Sequence, residues 1–204
     1  MQIPARELRL FLSMKRPSVR LLLVRHGESV LGRARRYAGH RDTPLTPAGR
    51  RQILHLRARF ERLRPDLVLS SDLGRCRESA ALLAPGRRIE ATDLLRELDF
   101  GDWDGLTART CRRRDPTRFD RWMRDPGSVR PPGGESLERL WNRVRRFASA
   151  LARRHPGRTL ALVTHAGPIR ALVARRPAEF WSVRVPPGAL LEIAWTVGRR
   201  CPKK

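Results

Sequence analysis

The sequence predicts an α/β fold built around a mostly parallel central sheet. Short apolar runs with the character of buried strands alternate along the chain with segments whose apolar residues recur at helical spacing. Two of these runs, Leu21–Val24 and Leu160–Thr164, end in a histidine that is followed by a glycine within two residues. Open α/β sheets bind ligands at the carboxyl ends of their strands. The pattern therefore indicates the edge of the sheet where a site is expected.

The first half of the chain is predicted to alternate strand and helix. Thr46 and Pro47 suit the N-cap and first position of a long helix that stops before Pro65. The polar side chains of Ser70–Asp72 are expected to cap the next helix, which carries Arg75 in its first turn. The predicted elements are a strand at 21–24, a helix from 47, a strand at 67–69, a helix to about residue 83 and a short extended piece at 89–95.

The second half is predicted to return to the sheet after an irregular excursion. Residues 96–105 are loop-like and acidic, and residues 106–132 are expected to form short helices over the sheet edge. Apolar residues then recur at helical spacing from Ser136 to about Arg153. The remaining predicted elements are a strand at 160–164, a helix from Pro168 to about Arg175 and an edge strand at 189–197.

The length of 204 residues suits one domain, expected to span residues 19–198, with residues 199–204 as a basic tail. Two explanations stay open for residues 1–18: a disordered N-terminal extension, or translation that begins at Met14. Three cysteines without C-x-x-C spacing predict neither a disulfide framework nor a zinc site. No apolar run suits a membrane span or a signal peptide, so we expect a cytoplasmic protein.

The formal charge of +24 raises nucleic acid as a partner, because clustered cations gain affinity by releasing counterions. The basic residues are instead spread along the chain, and only three of the 44 are lysine. Aromatic residues interleaved with a basic stripe are missing. We therefore expect a compositional bias that steers small anions, and no nucleic-acid partner.

Four side chains are expected to gather at the sheet edge if the two histidine-bearing strands are parallel and adjacent. His26 and His165 would then lie together, and Arg75 would reach them from a helix N-terminus. A neutral imidazole attacks phosphorus, and a guanidinium such as that of Arg25 holds phosphate oxygens. Departure of an alkoxide also requires a proton, and Glu97 is the candidate donor. Weaker candidates for the donor are Asp99, Asp102 and Asp104.

Each of these residues also has an ordinary interpretation. A histidine at a strand end is more often a hydrogen-bonded loop residue than a nucleophile, and a single arginine is usually solvated. Joint placement at three strand ends argues against that interpretation. The other histidines lack such a setting and are expected to be surface or packing residues: His40, His55 and His155.

Six motifs, in order, resemble the histidine phosphatase superfamily, also known as phosphoglycerate-mutase-like. They are Leu-Val-Arg-His-Gly-Glu-Ser at 23–29, Gly-His-Arg-Asp-Thr-Pro-Leu-Thr at 39–46, Ser-Ser-Asp-Leu-Gly-Arg at 70–75, Arg-Glu-Leu-Asp-Phe-Gly-Asp-Trp-Asp-Gly at 96–105, Gly-Gly-Glu-Ser at 133–136 and Val-Thr-His-Ala-Gly at 163–167. The resemblance implies a three-layer α/β/α sandwich. It implies a phosphomonoesterase in which His26 takes the phosphoryl group and Glu97 donates the proton, without metal or cofactor.

The resemblance also assigns the remaining site residues. Its phosphate-binding residues correspond to Arg25, Arg75 and His165, and secondary candidates are Ser29, Arg36 and Gly167. Two positions depart from the pattern of many relatives: Gly32 stands where asparagine is usual, and Ser79 where threonine is common. The first departure removes a usual phosphate contact and leaves substrate details open.

Residues 125–136, the Phe-Gly-Asp-Trp block and residues 184–188 resemble the α-ribazole phosphatases of cobalamin assembly. The resemblance implies a small phosphorylated substrate, α-ribazole 5′-phosphate. Open alternatives are a broad-specificity sugar-phosphate phosphatase, a phosphoglycerate mutase, and a non-catalytic phosphate- or nucleic-acid-binding protein. Three aromatic residues are expected either to face a flat ring of the substrate or to form a small core, and the core is favoured: Trp103, Phe119 and Trp122. A homodimer is also open.

Overall fold

A computed structural model of the chain describes residues 16–198. Its five-stranded sheet has the order β3-β2-β4-β1-β5. All neighbouring strands run parallel except β5, which pairs antiparallel with β1 at one edge. The strands are β1 (Ser18–Arg25), β2 (Leu67–Ser71), β3 (Ile89–Thr92), β4 (Thr159–Thr164) and β5 (Leu190–Thr196). The mostly parallel sheet and the edge position of the last strand confirm the predictions.

Helices cover both faces of this sheet. They are α1 (Val30–Arg33), α2 (Pro47–Arg62), α3 (Gly74–Leu83), α4 (Ala108–Arg114), α5 (Pro116–Arg124), α6 (Leu137–Arg154) and α7 (Ala166–Val173). Short 3₁₀ segments lie at Asp93–Leu95, Gly101–Trp103 and Pro177–Ser182.

Successive side chains of β1 point to opposite faces, as a strand requires. Leu21 and Leu23 belong to the core that packs under α6 and α7, whereas Leu22 and Val24 belong to the core under α2 and α3. All four are fully buried. A strand covered on both faces reads as a continuous apolar run, which explains the signal in the sequence. The result is the expected three-layer α/β/α sandwich.

The helix starts agree with the predictions in two cases and differ in one. The hydroxyl of Thr46 accepts a hydrogen bond from the first turn of α2, as expected, and Ser136, where the next long helix was predicted to begin, caps α6 in the same way. The prediction that Ser70–Asp72 cap α3 is wrong. Its N-cap is Leu73, which has no capping side chain, and the amide of Gly74 instead donates to Asp42 Oδ2 from a distant loop at 3.1 Å. A contact between distant segments leaves no local signal.

Other boundaries differ from the predictions by a few residues. The helix predicted from Pro168 begins at Ala166 and ends at Val173, with proline in its first turn, where an amide hydrogen is not needed. The extended piece at 89–95 is a strand only to Thr92 and then a 3₁₀ turn. Strand β1 begins earlier than predicted, at Ser18. Residues 1–15 of the proposed extension and the tail at 199–204 lie outside the described residues.

The excursion at 106–132 contains the two short helices α4 and α5, as expected. Their aromatic residues pack against the loop that follows α1 and the loop that follows Asp93–Leu95. Tyr37 stacks on Phe100 with ring centroids 4.4 Å apart, and Trp103, Phe119 and Trp122 complete the cluster. The three aromatic residues therefore belong to a small core, as favoured, although Trp122 also lines the cavity described below. Between residues 16 and 198, no helix is both long and apolar enough to cross a bilayer.

Candidate active site

The paired strands β1 and β4 bring two histidines together. In the parallel register Arg25 lies beside Thr164, so the residues that follow, His26 and His165, leave the sheet side by side. Their ring centroids are 5.0 Å apart and the rings meet edge to face. The amide of His26 donates to the carbonyl of Thr164 at 2.9 Å and fixes the two strand ends relative to each other. The predicted adjacency is confirmed.

His26 is held as a neutral imidazole with one free nitrogen. Its Nδ1 lies 2.7 Å from the carbonyl oxygen of Gly27, which can only accept, so Nδ1 carries the proton. Nε2 therefore keeps its lone pair. Burial, which has the largest effect, and the charges of Arg75 and Arg25 together lower the pKa of His26 to about 3. The ring is ready to act as a nucleophile at neutral pH.

His165 is completely buried. Its Nε2 lies 3.0 Å from the hydroxyl of Ser71 and 3.3 Å from the thiol sulfur of Cys76. Burial sets its pKa well below the usual histidine value, and the charge of Arg75 contributes in the same direction. The second imidazole is therefore also neutral and hydrogen-bonded.

Arg75 is a buried cation held by backbone carbonyls. Its terminal nitrogens donate to the carbonyl oxygens of Ala38 (3.0 Å), Gly39 (2.6 Å) and Arg41 (3.1 Å). The nearest paired carboxylate, that of Asp42, is exposed and 3.9 Å away. The Nε atom has no hydrogen-bond partner in the described part of the chain. A buried charge without close compensation favours binding of an anion.

Arg25 supplies a second cation. Its side chain donates to the carbonyl of Val185 at 2.6 Å, and its buried Nε has no partner among the described residues. Burial lowers the pKa of Arg25, whereas the charge of Glu97 opposes that shift. Two guanidinium groups beside one neutral imidazole match the charge and hydrogen-bonding needs of a phosphate dianion.

The carboxylate of Glu97 is anchored at the N-terminus of α7. Its Oε1 accepts hydrogen bonds from the amides of Gly167 at 3.0 Å and Leu98 at 2.9 Å. A Cβ added to Gly167 would lie 2.0 Å from Oε1, so this contact requires glycine. The secondary candidate Gly167 therefore acts on Glu97 rather than directly on a ligand.

Arg25, His26 and Glu97 line a cavity of about 410 Å³. Arg75 and His165 are fully buried and are not part of its lining. Ser29 and Arg36 also line the cavity, as expected for secondary candidates, although Ser29 caps α1 and Arg36 donates to the carbonyl of Gly105. The weaker acid candidates are not part of the lining: Asp99, Asp102 and Asp104. Among the described residues 16–198, Glu97 is the one that brings a carboxylate to the cavity lining.

Several cavity residues were missed in the sequence. Arg170 on α7 donates to the carbonyl of Val183 at 3.0 Å, and its guanidinium lies 5.4 Å from the ring centroid of Trp181. Arg170 comes four residues after Ala166, which also lines the cavity, so helical spacing was an available signal. The other missed lining residues are Tyr37, Phe100, Met123 and Trp181. They come from separate segments whose approach the sequence does not reveal.

The remaining histidines have the expected ordinary settings. His55 is exposed on α2, and His155 is the C-cap of α6. His40 is half-buried and its Nε2 lies 3.1 Å from the carbonyl oxygen of Glu97, a proximity that the sequence did not predict. Within residues 16–198, no three histidine, cysteine, aspartate or glutamate side chains gather as a metal ion would require.

The sequence model of a protein family, the Histidine phosphatase superfamily (branch 1), matches residues 21–202 of this chain. The chain belongs to this superfamily. It is 35% identical over 176 residues to the adenosylcobalamin/alpha-ribazole phosphatase of Salmonella typhimurium, covering 83% of this chain and 87% of the relative. It is 34% identical over 170 residues to phosphoserine phosphatase 1 of Hydrogenobacter thermophilus, covering 80% and 81%.

A solved structure shares the fold over most of the molecule. The crystal structure of the alpha-ribazole phosphatase from Shigella flexneri superimposes with a TM-score of 0.79 at 28% identity, covering 91% of this chain and 99% of that one. The fold is therefore that of the phosphoglycerate-mutase-like histidine phosphatases. With the family established, the chain is a phosphoric monoester hydrolase.

Proposed function

We propose that this histidine phosphatase hydrolyses α-ribazole 5′-phosphate through a phosphohistidine on His26. The observation that carries the proposal is the state of His26: a neutral ring with its Nε2 lone pair free, beside the buried Arg75 and the half-buried Arg25. Such a ring attacks phosphorus without first losing a proton.

In the first step, Nε2 of His26 forms a bond to phosphorus and the bond from phosphorus to the alcohol oxygen breaks. Glu97 gives its proton to the departing oxygen. Arg25 and Arg75 carry the unpartnered Nε–H groups that suit phosphoryl oxygens, and His165 is the third proposed phosphate ligand. The positive groups stabilise charge on the phosphoryl oxygens during transfer.

In the second step, water attacks the phosphohistidine. Glu97, now a carboxylate, accepts a proton from that water, and inorganic phosphate leaves with the bond to Nε2 broken. His26 returns to its neutral form and Glu97 to its protonated form, so the cycle closes. No residue needs to change its place in the fold between the two steps.

The wall of the cavity supports a bulky, flat alcohol as the leaving group. Tyr37, Phe100, Trp122 and Trp181 present rings or ring edges along the lining. Aromatic rings pack favourably against a flat heterocycle such as the benzimidazole of α-ribazole. The Salmonella typhimurium relative and the Shigella flexneri structure both carry the alpha-ribazole phosphatase name.

Phosphoserine is the second candidate, because the Hydrogenobacter relative carries that name. Arg36 and Arg170 in the lining suit its carboxylate. The ammonium group of phosphoserine, however, needs a carboxylate partner. Among the described lining residues that carboxylate is Glu97, which the proposed mechanism already uses for proton transfer. The aromatic wall and this charge mismatch favour α-ribazole 5′-phosphate.

A substrate comparison tests the assignment. We expect kcat/KM for α-ribazole 5′-phosphate to exceed that for phosphoserine, 3-phosphoglycerate and a sugar phosphate. Brief incubation with ³²P-labelled substrate should give an acid-labile, alkali-stable label on the wild-type protein and none on His26→Ala. A label that persists in that variant would overturn the role of His26, whereas preference for phosphoserine would overturn only the substrate. Cytoplasmic location, absence of nucleic-acid binding and a homodimer remain predictions.

A further inference from the structure

An arginine outside the cavity holds the segment that carries Glu97. Arg143 lies on α6 and is not part of the cavity lining. Its guanidinium donates to a run of backbone carbonyl oxygens, those of Asp93 (3.5 Å), Leu94 (2.9 Å), Arg96 (3.1 Å) and Glu97 (3.4 Å). The side chain of Arg143 thus fixes the backbone from residue 93 to residue 97.

Glu135 orients Arg143 and holds the backbone on the other side of Glu97. Its carboxylate pairs with the Arg143 guanidinium at 2.5 Å, and both side chains are largely buried. The same carboxylate accepts a hydrogen bond from the amide of Asp99 at 3.2 Å, and the amide of Glu135 donates to the carbonyl of Asp99 at 3.0 Å. The pair therefore holds the chain before and after residue 97.

The backbone and the side chain of Glu97 are fixed by different partners. The carbonyl oxygen accepts hydrogen bonds from Arg143 and from the ring of His40, whereas the carboxylate accepts from the amides of Gly167 and Leu98. A proton donor must lie within hydrogen-bond reach of the atom that it protonates. The backbone contacts determine where the carboxylate can reach.

We propose that Arg143, held by Glu135, is a positioning residue for proton transfer by Glu97. It acts by fixing the backbone at 93–97 and touches neither substrate nor the reacting atoms. The role needs an arginine, because a planar guanidinium with five N–H groups serves several carbonyls and a carboxylate at once, which a lysine ammonium cannot. The inference rests on the proposed role of Glu97 as proton donor.

Leaving-group dependence separates positioning from simple stabilisation. p-Nitrophenolate leaves as a stable anion and needs little help from an acid, whereas an alkoxide requires a proton. The second step is common to all substrates, so the comparison uses kcat/KM, which reports on the first phosphoryl transfer. For Arg143→Ala, we expect kcat/KM on α-ribazole 5′-phosphate to fall roughly 10- to 100-fold, in keeping with a small displacement of a catalytic group. On p-nitrophenyl phosphate we expect a change below about threefold. Arg143→Lys should restore little of the lost activity.

Two further variants make the test decisive. Glu135→Gln keeps the shape of the pair and removes its charge, so it should show the same selective loss if Arg143→Ala fails to fold. Arg139→Ala, at an exposed position one turn earlier on α6, is the matched control and should behave as wild type.

Equal losses on both substrates, or no loss on either, would overturn the positioning role. Glu97→Gln provides the reference: it should lose activity selectively on the alkyl phosphate. If Glu97→Gln is not selective, the assignment of the proton donor fails. If Glu97→Gln is selective and both Arg143→Ala and Glu135→Gln are not, only the positioning role fails.

Discussion

At the scale of single residues, the site combines buried imidazoles with buried cations. His26 and His165 stay neutral because burial and the charge of Arg75 both oppose protonation. A protonated His26 would have no lone pair to attack phosphorus. The arrangement that favours an incoming dianion therefore also keeps the proposed nucleophile active.

This burial predicts that acid destabilises the protein. The folded pKa of His26 is about 3 and its ordinary value is 6.5, so below pH 6.5 the unfolded chain binds a proton that the folded chain does not. Stability contributed by the neutral ring is present above pH 6.5 and is lost as the pH falls toward 3. Between pH 7 and 5 we expect a loss of about 2 kcal/mol from His26, with a further loss from His165.

Urea unfolding at pH 7 and pH 5 measures this effect. His26→Gln lacks the titrating ring, so its free energy of unfolding should fall less between the two pH values than that of wild type. The exposed His55 provides the control, since His55→Gln should show the wild-type dependence. A wild-type stability that is unchanged at pH 5 would contradict neutral burial of the two rings.

The glycine beside Glu97 gives a second prediction at this scale. In Gly167→Ala, the new methyl carbon would lie 2.0 Å from Oε1 of Glu97, so the carboxylate must move. We expect kcat/KM on an alkyl phosphate to fall about 10²-fold, as for a misplaced catalytic group, with a smaller effect on p-nitrophenyl phosphate. Steady-state kinetics on both substrates provides the measurement.

Gly127→Ala is the matched control, because the nearest atom to its added Cβ is a side-chain oxygen of Asp125 at 3.3 Å, outside the cavity lining. It should keep wild-type activity on both substrates. Wild-type activity in Gly167→Ala would show that the contact between α7 and Glu97 is not needed for catalysis.

At the scale of elements, the cavity wall is formed where α5 meets the 3₁₀ segment Pro177–Ser182. Trp181 is about half exposed at 49% and packs against Trp122 with ring centroids 6.1 Å apart. The guanidinium of Arg170 lies over the ring of Trp181. Trp181 is therefore positioned to contact a flat leaving group without supporting the core.

Removing that ring should weaken binding of the aromatic substrate. Aromatic pairs contribute about 0.5–1.5 kcal/mol beyond area burial, so Trp181→Ala should raise KM for α-ribazole 5′-phosphate roughly three- to tenfold. For phosphoserine, which has no ring, KM should change little. Leu54→Ala removes another exposed apolar side chain, on α2 and outside the lining, and should change neither value. Equal changes on both substrates would argue against ring stacking.

The strands and long helices could be predicted from the sequence because their signals are local. The apolar run at 21–24 identifies a strand, and Thr46 identifies a helix start, without reference to the rest of the chain. The adjacency of His26 and His165 followed from chain topology, since both end parallel strands. The residues proposed to bind phosphate could therefore be predicted from the sequence.

The rest depends on contacts between distant segments. Asp42 replaces the expected cap of α3, and Arg143 reaches Glu97 from α6, yet neither side chain stands out in a sequence so rich in charge. Trp181 joins the cavity from the 3₁₀ segment Pro177–Ser182, beside the buried Phe180. Such contacts are set by the assembled fold and leave no periodic or motif signal.

At the scale of the whole molecule, the chain carries a formal charge of +24, and its proposed substrate is an anion. A field of one sign attracts a small dianion over distances comparable to the Debye length, which is about 10 Å at 0.1 M salt. We expect kcat/KM for a phosphate monoester to fall several-fold between 10 mM and 300 mM sodium chloride, while kcat changes little. Initial-rate measurements at constant pH test this, and a salt-independent kcat/KM would contradict steering by the overall charge.

The register of β1 with β4 also links catalysis to folding. His26 and His165 are far apart in the sequence and meet through the interior strands β1 and β4, where the amide of His26 donates to the carbonyl of Thr164. Contacts of such long range form only when the chain closes as a whole. Local opening of outer elements can leave the histidine pair intact, but separating it requires breaking the centre of the sheet. The amide of His26 should therefore exchange its hydrogen at the rate set by global unfolding.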